Sequence, residues 1–171
     1  ANTTGASNVA IGATALDANT TASHNVGIGL DALGVNTTGA YNTAIGSYTL
    51  DANTTASNNI AIGYGSMSAN TTGTQSVAVG DLALDANTTA SYHVAVGYQA
   101  LGANTSGTQN VGLGWGALLT NTTGSYNTAI GSSALYSNTT ASNNTAVGRD
   151  ALNANTTGDR GVAVGASALV A

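Results

Sequence analysis

"NVAIGATAL" at residues 8–16, "NTAIGSYTL" at 42–50 and "SVAVGDLAL" at 76–84 are three copies of one block. Each sets a β-branched residue, a small residue, a second branched residue and a glycine in a row, with an Ala-Leu-like pair downstream. A helix would need apolar residues at three- and four-residue spacing over more than ten positions, and a half-buried strand needs only alternation over a few. The apolar part here is four residues long and is hemmed in by Asn, Thr and Ser. It predicts a strand of three or four residues bounded by turns.

The block returns every 17 residues without a slip, and internal periodicity of that order signals a stacked architecture. Written in rows of 17, residues 1–170 fill ten rows of one repeat array spanning 1–171. Columns below are numbered from Ala1, so that Asn2 stands in column 2. Column 2 is always Asn, column 12 always Gly, column 11 always Ile, Val or Leu, and column 16 is Leu except for Met67. Column 9 is Val, Ile or Thr, and column 10 is only Ala or Gly. The expected fold is all-β, a parallel β-solenoid of ten 17-residue coils. With neighbouring strands ~4.8 Å apart, ten coils make a rod roughly 48 Å long.

Side chains alternate along a strand, so columns 9 and 11 share one face and column 10 takes the other. The expectation is that the branched residues point inward to meet column 16. The Ala/Gly face then packs against a second chain, because small residues permit close approach of another backbone. That arrangement predicts a homo-oligomeric rod, a trimer about its long axis. A weaker period of two rows is also present. Column 5 alternates Gly5, Ala22, Gly39, Ala56, Gly73, Ala90 and Gly107 before breaking at Gly124, and "LDANTTAS" recurs at 16, 50 and 84. Growth by duplication of row pairs is the favoured origin, with alternate coils facing different surroundings as the structural alternative.

The V-A-I-G-x-x-A-L blocks resemble the head repeats of trimeric autotransporter adhesins, and equally the repeats of bacteriophage tail fibres and similar fibrous surface proteins. The resemblance covers all ten rows. It implies a left-handed parallel β-roll with three chains per rod, and an extracellular or cell- or virion-surface location. The adhesin coil is usually about 14 residues; here the turn containing Asn-Thr-Thr enlarges it.

That turn is the most regular polar feature of the chain. Asn2, Asn19, Asn36, Asn53, Asn70, Asn87, Asn104, Asn121, Asn138 and Asn155 each begin an N-x-S/T sequon, and Asn143-Asn144-Thr145 adds an eleventh. The motif is the acceptor for N-linked glycans. Identical asparagines stacked on successive coils also form hydrogen-bonded ladders, as in cross-β assemblies. Crowding at ~4.8 Å favours a ladder at the Asn and smaller O-linked sugars at Thr3, Thr4, Thr20, Thr21, Thr37, Thr38 and their equivalents. An ice-binding face is disfavoured, since adjacent Thr3 and Thr4 point to opposite sides.

Composition narrows the function classes. Charged residues make up 5% of the chain, the net charge is −5, and Lys, Glu, Cys, Pro and Phe are absent. Two arginines make no basic patch, which argues against a nucleic-acid partner. No apolar run approaches the ~18 residues of a membrane-spanning helix, so no membrane insertion is expected in this segment. His24 and His93 fall four rows apart in different columns, and Asp17, Asp51 and Asp85 recur only at every second row. No calcium cage forms at that spacing, and unlike polar groups do not converge as catalysis requires. The expectation is no enzyme, no cofactor and no metal. The chain reads as a slice of a longer extracellular fibre or filament whose partner is itself, as a trimer or end to end. The alternative is an adhesin head or tail-fibre segment, with outward aromatics such as Tyr64, Tyr98 and Trp115 meeting glycans or a host surface.

Overall fold

The structure, a computed structural model, describes residues 2–170. Ten three-residue strands, β1 (Val9–Ile11), β2 (Val26–Ile28), β3 (Thr43–Ile45), β4 (Ile60–Ile62), β5 (Val77–Val79), β6 (Val94–Val96), β7 (Val111–Leu113), β8 (Thr128–Ile130), β9 (Thr145–Val147) and β10 (Val162–Val164), form one sheet in chain order. Every neighbouring pair is parallel and in register at an offset of 17, as in Val77↔Val94 and Val79↔Val96. The fold is thus a parallel β-solenoid, one strand per coil, with the rest of each row in turns.

Four positions per row bend the chain. Columns 7, 14 and 16 adopt the left-handed conformation in all ten rows, with φ between 50° and 68°. A bulky residue there costs about 1–2 kcal/mol, yet column 16 is Leu or Met throughout. The compensation is inter-coil bonding and burial. Leu84 N–H donates to the Ala100 carbonyl at 3.1 Å and Leu101 N–H to Ala117 at 2.9 Å, and both side chains are fully buried. Column 12 has φ near 130° (127° to 135°), accessible only to glycine, and a methyl group there would strike the carbonyl of the next column 12 glycine. Glycine is therefore required twice over at this position.

The two faces of the sheet are the reverse of the sequence expectation. Column 10 points inward: Ala44, Ala61, Ala78, Ala95, Ala129 and Ala146 are 0% exposed. They join the column 15 alanines and the column 16 leucines in one continuous core. Columns 9 and 11 point outward, with Ile60 at 42%, Val96 at 37% and Ile130 at 38% exposure. The reason is width. A Cβ built at Gly27 would already lie 3.2 Å from the Leu16 side chain and 3.0 Å from the Ala32 carbonyl oxygen. The core has room there for a methyl group and nothing larger, so the branched residues go to the outer face.

Coils also differ in alternation. In rows with column 5 glycine the Asn-Thr-Thr turn bonds doubly to the next coil: Thr71 and Thr72 N–H both donate to the Thr88 carbonyl, at 2.9 and 3.2 Å, whereas among the alanine rows only Thr139 makes such a backbone bond, to Thr156. A methyl group on Gly73 would sit on the Ala90 carbonyl oxygen, and Gly39 meets Ala56 in the same way. The two-row period thus has a steric counterpart in how tightly successive turns are drawn together.

Candidate functional site

The Asn-Thr-Thr turn turns its first residue inward. From Asn19 to Asn138 the column 2 asparagines are at most 1% exposed. Each Nδ2 donates to the Oδ1 of the asparagine one coil earlier, in nine successive bonds of 2.8 to 3.4 Å. Each also donates to the column 5 carbonyl of its own turn; Asn70 bonds Gly73 at 3.0 Å. Both amide hydrogens are committed, so an N-linked sugar would replace one of them and would have to occupy the core. In the coil as folded there is no space for it. The eleventh sequon differs, because Asn143 lies in column 7 and is exposed.

The threonines divide by column. Column 3 hydroxyls largely serve the backbone: Thr3 donates to the Thr20 carbonyl and Thr37 to the Thr54 carbonyl, each at 3.0 Å. Thr20 is exposed and makes no such bond, and column 4, including Thr4, Thr21 and Thr38, is exposed in all ten rows. None of the column 4 hydroxyls makes a hydrogen bond within the described chain. They are the only complete column of free hydroxyls on the Asn-Thr-Thr turn.

A second polar ladder lies one turn further on, and sequence reasoning did not single it out. Column 8 is Asn in seven rows, a visible signal. Its Oδ1 accepts the backbone N–H of column 8 in the next coil, and its Nδ2 donates to the next coil's column 5 carbonyl in every one of these rows but that of Asn144, whose Nδ2 is buried without a partner among the described residues. For Asn42 these are the Asn59 N–H at 3.0 Å and the Ala56 carbonyl at 2.8 Å. Two stacked amide columns thus replace backbone pairing where the chain leaves the sheet, satisfying buried polar groups that would otherwise be costly.

On the outside, columns 9 and 11 form two parallel stripes of branched side chains along the sheet. The aromatics are also external. Tyr41 stacks on His24 at 4.8 Å, Tyr48 meets Tyr64 edge-on at 5.8 Å, and Trp115 stacks on Tyr136 at 6.1 Å. Tyr64, Tyr98 and Trp115 stand in column 13 with about half their surface exposed, at 54%, 46% and 50%. His24 is therefore on the surface, while His93 is buried. Asp17, Asp31 and Asp51 line one shallow cleft with Thr14, whose hydroxyl donates to Asp31. Burial, with help from Asp31, pushes the Asp51 carboxyl above its usual range, and burial does the same at Asp85. Among the described residues no three His, Cys, Asp or Glu side chains gather as metal ligands would. No helix among them is long and apolar enough to cross a membrane. No protein-family model, curated protein or solved structure matches the chain.

Proposed function

We propose that this chain is a shaft segment of an extracellular fibre, in which copies associate laterally through the outer face of the sheet. One observation carries the reading: a parallel sheet whose outer stripes, Val, Ile and Leu with Thr at 43, 128 and 145, are half-buried to exposed along ten coils with no further layer over them. Parallel sheets are nearly always covered on both faces, and a contiguous exposed apolar surface marks an interaction site. The stripe repeats with the coil, so the partner that matches it best has the same repeat, namely another copy of this rod. The three-chain bundle implied by the resemblance to autotransporter heads is the specific arrangement proposed. Its contact is the branched face, in place of the Ala/Gly face expected from sequence.

Stiffness supports the shaft reading. Each coil is tied to the next by backbone bonds on the strand, by bonds at the left-handed turns and by two amide ladders. A second reading, a segment that contacts a host surface, is favoured by the exposed aromatics of column 13. Room for a sugar coat exists at the column 4 threonines and at Asn143. The deciding experiment is sedimentation velocity on the purified chain across a concentration series. A trimeric mass is expected; a monomer at tens of micromolar would overturn lateral association. A glycan array scored with Trp115→Ala separates the second reading from the first.

A further inference from the structure

The column 8 ladder is interrupted in mid-rod. Rows 5 and 6 carry Ser76 and His93 where their neighbours carry Asn59 and Asn110. His93 is 1% exposed. Its ring takes over the acceptor role of the missing asparagine. Nδ1 accepts the Asn110 backbone N–H at 3.3 Å, as Asn110 Oδ1 accepts the Asn127 N–H at 2.9 Å. The Nε2 edge lies at the Gly107 backbone, where Asn110 in its own row reaches the Gly124 carbonyl at 2.8 Å. Ser76, shorter than asparagine, leaves room for the imidazole, and its hydroxyl oxygen accepts the His93 N–H at 3.1 Å.

These partners fix the protonation state. Nδ1 must be bare to accept from Asn110, and the ring proton sits on Nε2. Nε2 also lies 3.4 Å from Asn104 Nδ2, whose two hydrogens already serve Asn87 Oδ1 and the Gly107 carbonyl. A second ring proton, on Nδ1, would confront the Asn110 N–H, donor against donor, and would place a charge among neutral amides. No countercharge is at hand. The titratable groups of the packed coils are Asp81 and Asp85 in row 5 and Tyr92 and Tyr98 in row 6, with none in row 7. They sit in columns 7, 13 and 17, exposed or half-buried, and none bears on the ring.

We propose that His93 is an acid-operated break point in the rod: neutral, it completes the buried ladder, and protonated, it opens coils 5 to 7. Coils contact only their neighbours, so opening stays local. Burial lowers the His93 pKa from 6.5 to about 4, and the Gly107 backbone beside the ring offsets only part of that. The sign follows. The unfolded chain binds this proton more readily than the fold does. The ladder's contribution is therefore complete above pH 6.5, falls as pH drops toward about 4, and changes no further below it. Asp51 and Asp85, with raised pKa values, shift the other way, so the comparison must remove the imidazole alone.

The test compares the wild-type chain with His93→Asn, which restores the repeat, and with Ser76→Asn/His93→Asn, which restores both rows. Amide hydrogen exchange at Val94, Asn110 and Val111 is followed between pH 7 and 4. Relative to either variant, wild-type protection in these coils should fall roughly tenfold per pH unit below 6.5, while Asn25 and Asn42 hold. In a His24→Asn background, the single imidazole should titrate near the acid end of that window by NMR. Parallel exchange profiles in wild type and variants, or an imidazole that titrates as in a free peptide while protection is unchanged, would overturn the proposal.

Discussion

At the scale of the residue, the asparagine of the Asn-Thr-Thr turn does structural work that its motif alone does not disclose. Asn70 donates to Asn53 and to Gly73, accepts from Asn87, and is fully buried. Asn70→Ala strands the Asn87 donor and the Asn53 acceptor together, and a buried orphan costs ~1–3 kcal/mol. Chemical denaturation of the two chains should show a loss of that size; an unchanged midpoint would mean the ladder contributes nothing net. The same geometry predicts where sugar can attach. In native material, hexose or hexosamine increments should map to column 4 threonines or to Asn143, and never to Asn19 through Asn138. Peptide mass spectrometry over "LDANTTAS" (16–23, 50–57 and 84–91) decides it. The sequence made this column conspicuous through invariance, but a sequon and a ladder want the same residue. Only the inward direction of the side chain separates them. His93 was visible too, yet as an isolated histidine; its role depends on standing in for an asparagine, which needs the coil register.

At the scale of the coil, the in-register strand and the 17-residue repeat were both legible, because stacking identical rows is the one way to bury so short an apolar block. Which face turned inward was not. Alternation fixes that columns 9 and 11 go together and column 10 opposes them, but it carries no sign. The sign comes from the narrow interior, where Leu of column 16 and the alanines of column 15 leave space for one methyl group per row. The Gly/Ala alternation of column 5 was likewise visible as a pattern without its cause. Gly73→Ala would press a methyl group onto the Ala90 carbonyl oxygen and toward Asn70 Oδ1. Such overpacking costs typically ~1–3 kcal/mol. The reverse change one coil on, Ala90→Gly, adds only backbone freedom, at roughly 0.5–1 kcal/mol. Thermal denaturation should therefore rank Gly73→Ala as the more damaging of the two. Equal losses would show that the tight and loose turns are interchangeable and that the two-row period is a record of duplication alone.

At the scale of the whole rod, folding and the proposed association would draw on opposite faces of the same three-residue strands, which makes them separable by substitution. Ala78 and Val79 are adjacent in β5, the first fully buried and the second half-buried on the outer face. Ala78→Asp forces a carboxylate into an interior with no cation to pair it, and a buried unpaired charge costs far more than one coil's packing can offset. The expected result is a break in the rod at coil 5, read as lost β-sheet circular dichroism and raised protease sensitivity near residue 78. Val79→Asp leaves that interior untouched, and with Ile62→Asp it puts two charges per chain into the proposed contact between copies. Repelling carboxylates desolvated in such a contact should lower the sedimenting mass to that of one chain while the circular dichroism stays that of the wild type. Were the branched face instead free in the assembled fibre, both outer substitutions would leave mass and spectrum unchanged. The lateral contact would then have to lie elsewhere, on the aromatic edge of column 13 or along the Asn-Thr-Thr turns.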